Sequence, residues 1–164
     1  MSLIENGNKL RAEVWRSIEG LNDEQLNRKT DEGKWTIAQV LDHLYLIEKA
    51  MTKAIKGGLE NAEETQADEK PVYLTADRSK KVKAPAYLEP SDGFMTLEGL
   101  REKLNSSRAE LTDLVAHATE ERLAERSLPH QVFGQLRLSQ WVEFIGYHEK
   151  RHLAQIEELK MGLL

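Results

Sequence analysis

Four stretches of the sequence repeat their apolar residues every three to four positions, the period of an α-helix with one buried face. They cover residues 3–20, 36–58, 96–118 and 139–162. Helices with one apolar stripe are stable when several of them pack around a common core. The pattern predicts an all-α protein, a four-helix bundle, formed as one domain by residues 1–164.

Several helix ends carry local signals. Thr36 and Gln39 form a capping-box pattern, in which the hydroxyl accepts a bond from a free backbone N–H and the amide reaches back. Gly57 and Gly58 are predicted to end the second helix, because glycine is favoured just after a helix C-terminus. Ser139 is predicted to cap the start of the fourth helix.

The connections between the helices differ in length. Residues 59–94 form a long, charged connection that holds three of the four prolines. A loop of this length in a compact domain is often functional, and it argues against the simplest up-down-up-down order. Residues 22–27 predict one short helical turn, and residues 127–138 predict a tight turn or a small extended excursion.

The composition excludes several classes of protein. The 164 residues carry a formal net charge of −5 without a dominant basic block, so no nucleic-acid partner is predicted. The lack of cysteine excludes disulfides, thiolate metal ligands and a cysteine nucleophile. No stretch approaches the roughly 18 apolar residues of a membrane span, and the N-terminus does not have the pattern of a signal peptide. We expect a cytoplasmic protein with a small-molecule substrate and no membrane partner.

Three histidines fall on the predicted apolar stripes. His148 and His152 are four positions apart, so their side chains lie on one face of the fourth helix. His43 lies on the stripe of the second helix, between Val40 and Ile47. Imidazoles from two facing helices predict a three-ligand metal site with an open position, as in catalytic rather than closed structural sites. The alternative is a set of core histidines that form hydrogen bonds with other groups.

The sequence HEKRH of residues 148–152 also matches a zinc-protease signature, H-E-x-x-H. One large class of these proteases continues with a glycine and a third histidine, but Gln155 and Glu158 occupy those positions. The third ligand must therefore come from upstream, and we reject the protease interpretation. Glu149 is predicted to be a solvent-facing or helix-pairing carboxylate, because it lies about 100° around the helix from His148.

Five further residues are predicted to have roles other than metal binding. His117 is predicted to have a surface or helix-capping role near the end of the third helix. For His130, a role at the rim of the site is an alternative to a plain turn residue. Gln155, one turn beyond the last histidine ligand, is predicted to support that ligand. Trp35 is predicted to pack as a hydrophobic staple before the second helix, and Trp141 is predicted to lie in the core.

Four stretches together resemble one family of proteins. They are GKWTIAQVLDHL at 33–44, PHQVFGQL at 129–136, WVEF at 141–144 and HEKRHLAQ at 148–155. With them the sequence resembles the DinB-like superfamily of four-helix metal-binding proteins over nearly its whole length. The tryptophan eight residues before His43, combined with the late histidine run, is the most specific part. In the second stretch the family often has His then Pro, whereas here Pro129 precedes His130.

The resemblance implies both a metal site and a range of activities. It implies a four-helix bundle with His43, His148 and His152 as ligands of one divalent transition metal, nickel or zinc. It also implies a homodimer. Some relatives are thiol transferases or isomerases that use a small thiol such as bacillithiol or mycothiol, and others are regarded as metal-dependent hydrolases.

Three functions follow from these observations, and a thiol-dependent S-transferase is preferred. In a transferase, the metal would stabilise an external low-molecular-weight thiol as its thiolate, and Arg78, Lys80 and Lys81 could meet an acidic thiol. In a hydrolase, metal-bound water would be the nucleophile and a general base would be needed. Asp42 and Glu149 are next to ligands in sequence and so point away from the site. The third alternative is a non-catalytic metal-binding stress protein.

Overall fold

The computed structural model describes residues 2–61, 67–79 and 83–164. Four long helices form the predicted bundle, and shorter elements join them. The helices are α1 (Leu3–Ser17), α2 (Asp23–Leu26), α3 (Ile37–Asn61), α4 (Leu97–His117), α5 (Glu120–Glu125) and α6 (Leu138–Met161), and an antiparallel hairpin consists of β1 (Ser127–His130) and β2 (Gly134–Arg137). The predicted turn at 22–27 and the extended excursion at 127–138 correspond to α2 and to this hairpin.

Helices α3 and α4 run parallel to each other. Asp42 pairs with Lys103, and further along both helices Glu48 pairs with Arg108. Because α4 starts at the same end of the bundle as α3, the chain must return along the length of the bundle between them. The long connection between these helices makes that return, which excludes an up-down-up-down order.

Helix α6 runs antiparallel to α3 and parallel to α1. Gly58, near the end of α3, contacts Leu138 at the start of α6, whereas His43 contacts His148 in its middle. The first turn of α1 packs in one hydrophobic cluster with the start of α6, and its last turns pack in another with the end of α6. The four long helices therefore follow an up-down-down-up order.

The described part of the connection between α3 and α4 contains two short 3₁₀ turns. The first, Val72–Ala76, packs along α6, and the second, Ala86–Leu88, contacts α3. Val72 and Leu88 anchor these turns with buried side chains. We call this connection, residues 62–96, the crossover. Its two 3₁₀ turns lie against α6 and α3, the two helices that carry the histidines.

Several predicted helix ends are confirmed and others are wrong. The capping box at the start of α3 is present, with Thr36 N–H donating to Gln39 Oε1 at 2.9 Å and Gln39 N–H donating to Thr36 Oγ1 at 3.1 Å. The predicted stop at Gly57 and Gly58 is wrong, because α3 continues to residue 61. The first helix ends at Ser17, three residues earlier than predicted.

The predicted cap at Ser139 is also wrong. Helix α6 begins at Leu138, and Arg137 takes the N-cap position without a side-chain cap. Strand β2 leads directly into α6, and Leu138 N–H donates to the carbonyl of Arg126 at 2.9 Å. The carbonyl of Arg126, the residue before β1, therefore satisfies the first backbone N–H of α6, and no side-chain cap is present there.

Close packing against α6 and β1 explains why residue 58, within α3, is a glycine. We expect Gly58→Ala to lower the free energy of unfolding by about 1–3 kcal/mol, because its Cβ would lie 2.8 Å from Leu138 Cδ2 and 3.0 Å from Leu128 Cδ1. Gly57 is the matched control, since nothing lies within 4 Å of a Cβ there. Gly57→Ala should raise that free energy by up to about 1 kcal/mol, because alanine favours the helix. Urea denaturation of both variants checks this, and equal effects would contradict it.

In the part of the chain that the structure describes, no helix combines the length and the apolar character needed to cross a bilayer.

Candidate metal centre

The three predicted histidines meet at the contact between α3 and α6. His148 Nε2 lies 3.3 Å from His43 Nε2 and 3.1 Å from His152 Nε2. All three side chains are buried, and one nitrogen of each lies within 4.8 Å of the others. The four-residue spacing on α6 supplies two imidazoles, and the antiparallel contact with α3 supplies the third.

The second ring nitrogen of two of these histidines has an acceptor. His43 Nδ1 lies 2.8 Å from the carbonyl oxygen of Leu88, and His152 Nδ1 lies 2.7 Å from Gln155 Oε1. Each Nδ1 therefore carries the proton and donates, which leaves the Nε2 lone pair directed at the cluster. Gln155 thus has the supporting position that the sequence predicted for it.

The donor set fits a transition metal. His43 and His152 both direct Nε2 lone pairs at His148, whose Nε2 could donate a proton to only one of them. His148 Nδ1 is buried without a hydrogen-bond partner among the described residues, so no neighbour there fixes which ring nitrogen of His148 carries the proton. A divalent cation would accept all three lone pairs, and imidazole suits nickel, zinc, copper and iron.

Burial lowers the pKa of each histidine in the cluster. It lowers the pKa of His43 against the opposing effects of the Leu88 carbonyl and Asp42. The pKa of His148 is lowered well below the ordinary value, first by burial and then by the other two imidazoles. Burial and His43 lower the pKa of His152 to about 3. All three rings are therefore neutral at pH 7, the form that binds metal.

The metal-free protein is expected to lose stability as the pH falls from 7 to 5, and His152 should contribute about 2 kcal/mol of that loss. The pKa of His152 is about 3 in the folded state and 6.5 in an ordinary environment. Between these values the unfolded chain binds a proton that the folded state does not. The stability contribution is therefore complete above pH 6.5 and decreases progressively towards pH 3.

Urea denaturation at pH 7, 6 and 5 with a chelator checks this prediction. His152→Gln should lose about 2 kcal/mol less than wild type over this range. His117 is the matched control, because its side chain is exposed and pairs with Asp113 one turn earlier on its own helix. His117→Gln should follow wild type, and a His152→Gln profile parallel to wild type would contradict the assignment.

Aromatic side chains surround the cluster. The ring centroids of Trp35 and His43 are 4.9 Å apart, and those of Phe144 and His148 are 5.8 Å apart. Trp35 also packs against the hydrophobic core next to the capping box, as predicted for a staple. Trp141 is buried in the core, as predicted.

The other two histidines lie outside the cluster. The ring of His130 contacts Phe144 at 4.6 Å, so Phe144 lies between it and the cluster. Its Nδ1 accepts a bond from the Val132 N–H within the hairpin turn. His117 is exposed at the end of α4, which agrees with the predicted surface role.

Glu149 does not face solvent, contrary to one of its two predicted roles. Only 2% of the residue is exposed, and its carboxylate pairs with Arg11 on α1 and Arg108 on α4. The helix-pairing role is therefore the one that the structure supports. Glu48 on α3 pairs with the same two arginines and completes a buried ion network that joins all four long helices.

The sequence interpretation missed three members of this network, although a signal was present. Arg11, Glu48 and Arg108 each occupy positions on or beside the apolar stripes of their helices. Two basic and two acidic residues at such positions on four helices indicate mutual pairing, because an unpaired buried charge is very costly.

The basic residues proposed to meet an acidic thiol are only partly described. Arg78 pairs with Glu158 of α6 at 2.9 Å and is close enough to His152 to lower the pKa of that histidine. Its neighbour on α6, Arg151, donates to the backbone carbonyls of Thr75 and Asp77. Lys80 and Lys81 lie outside the described residues.

Known proteins are similar to this chain in amino-acid sequence. It is 42% identical over 153 residues to the uncharacterized protein YuaE of Bacillus subtilis, covering 93% of this chain and 94% of that protein. It is 29% identical over 142 residues to an Oceanobacillus iheyensis protein named "Putative metal-dependent hydrolase", covering 86% of this chain and 73% of that protein.

Solved structures give the same fold. YfiT of Bacillus subtilis, described as "a probable metal-dependent hydrolase with an unusual four-helix bundle topology", aligns with a TM-score of 0.64 at 20% identity, covering 97% of this chain and 84% of that one. The four-helix bundle protein TT2238 aligns with the same TM-score and identity over 95% and 96% of the two chains. A family model for the DinB superfamily matches residues 8–156. With this match over most of its length, the chain belongs to the DinB superfamily.

Proposed function

We propose that the chain binds one divalent transition metal through His43, His148 and His152 and acts as a metal-dependent enzyme. The observation that carries this proposal is the convergence of three buried Nε2 atoms. The bonds from Nδ1 to Leu88 and Gln155 support it, because ligand histidines commonly donate their other ring N–H in this way. Nickel and zinc are the metals we propose first, since both suit imidazole ligands.

The residues around the metal site determine which kind of ligand the metal would bind. When bound, the metal would supply Lewis acidity, which favours the deprotonated form of a thiol or of water. Three neutral imidazoles bring no negative charge, so the site would keep the full charge of the cation and favour an anionic ligand. Trp35 and Phe144 give the surroundings an apolar character that would limit access of water.

The acidic residues next to the ligands support thiol transfer over hydrolysis. Asp42 accepts bonds from the Ser91 N–H and Lys103, and Glu149 is paired with two arginines. Neither carboxylate is therefore placed as the general base that activation of water would require. A thiol is easier to ionise, because its ordinary pKa is about 8.5.

We therefore propose a thiol-dependent S-transferase that acts on small molecules. In this reaction the thiol of a low-molecular-weight cosubstrate releases its proton to solvent, and its sulfur forms a bond to an electrophilic carbon of the substrate. The leaving group departs with the electron pair of the bond that breaks. The lack of cysteine in the chain agrees with a nucleophile that arrives on the cosubstrate.

A metal-dependent hydrolase is the second candidate. It is favoured by the names of the relatives, since the Oceanobacillus iheyensis protein and YfiT are both described as metal-dependent hydrolases. A hydrolase built on this site would need a proton acceptor from the substrate or from solvent.

Activity assays on metal-loaded protein separate the candidates. The protein is loaded with nickel or zinc and given a small thiol with a chlorinated aromatic electrophile, and in parallel a panel of ester and amide substrates. Metal-dependent loss of free thiol that His43→Ala abolishes would support the transferase. Metal-dependent ester or amide cleavage would support the hydrolase. Full metal content with neither activity would favour a non-catalytic metal-binding protein.

We also propose a homodimer, which the family resemblance implies. Sedimentation of the purified protein would check it, and a monomer at all concentrations would contradict it.

A further inference from the structure

The carboxylate of Asp42 is buried next to the metal centre but directed away from it. Its residue is 3% exposed, and its Oδ2 accepts the Ser91 N–H at 3.0 Å. Its Oδ1 accepts a bond from Lys103 Nζ at 3.1 Å. One turn earlier on α3, Gln39 Nε2 donates to the carbonyl of Ser91 at 3.3 Å. Two side chains of α3 thus bind both backbone groups of a single crossover residue.

Ser91 lies three residues after the crossover carbonyl that contacts a metal ligand. The carbonyl of Leu88 lies 2.8 Å from His43 Nδ1, and the Leu88 side chain is 4% exposed. A carbonyl at this distance sets both the tautomer and the ring rotation of the histidine. The direction of the His43 Nε2 lone pair therefore depends on where the crossover lies on α3.

We propose that Asp42 is a positioning residue of the metal centre, because it holds Ser91 and thereby keeps the Leu88 carbonyl on His43. This inference rests on the proposed metal site. It adds that the affinity of the site for metal depends on the position of the crossover on α3. Coupling of this kind is reciprocal, so metal at His43 stabilises the crossover on α3 to the same extent.

Zinc affinity of three variants tests the proposal. Zn²⁺ alone is the probe, in competition with a chromophoric chelator, and circular dichroism confirms that each variant is folded. Asp42→Ala should weaken Zn²⁺ binding by about tenfold or more. Asp42→Asn keeps an oxygen acceptor for the Ser91 N–H and should bind more tightly than Asp42→Ala.

Asp23 provides the matched control. Its Oδ1 accepts the N–H of Leu97 at 2.9 Å, so it holds the start of α4, directly after the crossover, by the same kind of bond. Asp23→Ala should bind Zn²⁺ as wild type does. An equal loss in Asp23→Ala and Asp42→Ala would indicate general loosening and overturn the positioning role.

Hydrogen exchange of the wild-type protein gives a test that does not depend on the variants. Adding Zn²⁺ should slow exchange of the Ser91 amide by about tenfold. The Arg122 amide, which donates to Thr119 Oγ1 away from the centre, serves as an internal reference and should not change.

The outcomes distinguish two failures. Wild type that does not bind Zn²⁺ overturns the proposed metal site itself. Wild type that binds Zn²⁺, with a folded Asp42→Ala of equal affinity, overturns only the positioning role. If Asp42→Ala does not fold, the exchange measurement decides, and an unchanged Ser91 amide overturns the proposal.

Discussion

Glu149→Ala is expected to lower the free energy of unfolding by about 3–5 kcal/mol. The carboxylate lies 2.6 Å from Arg11 Nε and 3.4 Å from Arg108 Nη2, and all three residues are buried. Its removal leaves two buried guanidinium groups with Glu48 as their one acidic partner in the described network. Urea denaturation of the metal-free protein at pH 7 measures the loss without a contribution from the metal.

Glu157 on the same helix is the matched control. It pairs with Lys160 at 3.4 Å, but its side chain is 55% exposed. Glu157→Ala should therefore change the free energy of unfolding by less than about 1 kcal/mol. A loss in Glu149→Ala no larger than that in Glu157→Ala would show that the buried network contributes little to stability.

Nickel or zinc is expected to raise the melting temperature of the wild-type protein by about 8–16 °C when the free metal is at a thousand times its dissociation constant. At that concentration a ligand that binds only the folded state stabilises it by about 4 kcal/mol. The three histidines come together only when α3 and α6 pack, so the unfolded chain offers no equivalent site. Thermal unfolding with and without metal measures the shift.

His43→Ala should lose most of this shift, because one of three ligands and the contact with the crossover disappear. His117→Ala should keep it, since that histidine is exposed on a different helix. Metal content by elemental analysis should agree, close to one ion per chain in wild type and in His117→Ala. An undiminished shift in His43→Ala would place the metal elsewhere.

The helices and the histidine cluster were predictable because both depend on periodicity. His148 and His152 share a face through the geometry of a single helix, and His43 is placed by its own apolar stripe. When two apolar stripes pack, polar residues at the same level of the two helices come close together. For that reason the spacing of residues along the sequence was enough to predict the contact between His43 and His148, which are 105 positions apart.

The partners of the cluster could not be predicted in the same way. The Leu88 carbonyl reaches His43 from the crossover, which has no periodic pattern. Every residue has a backbone carbonyl, so the residue type at position 88 gives no sign of this contact. Glycine commonly ends a helix, which is why Gly57 and Gly58 were predicted to stop α3. The helix continues instead, and close contact with Leu138 and Leu128 accounts for the glycine at position 58. Glu149 was assigned partly to solvent because its angle from His148 does not reveal that another helix packs there.

The buried ion network has a consequence for how the bundle unfolds. Both acidic members belong to α3 and α6, the helices that carry the histidines, and both basic members belong to α1 and α4. If α1 and α4 detached, Glu48 and Glu149 would lose both counter-charges and would repel each other across the contact between α3 and α6. The histidine-bearing pair therefore depends on α1 and α4 for its counter-charges, and we expect the four long helices to unfold together, with or without metal.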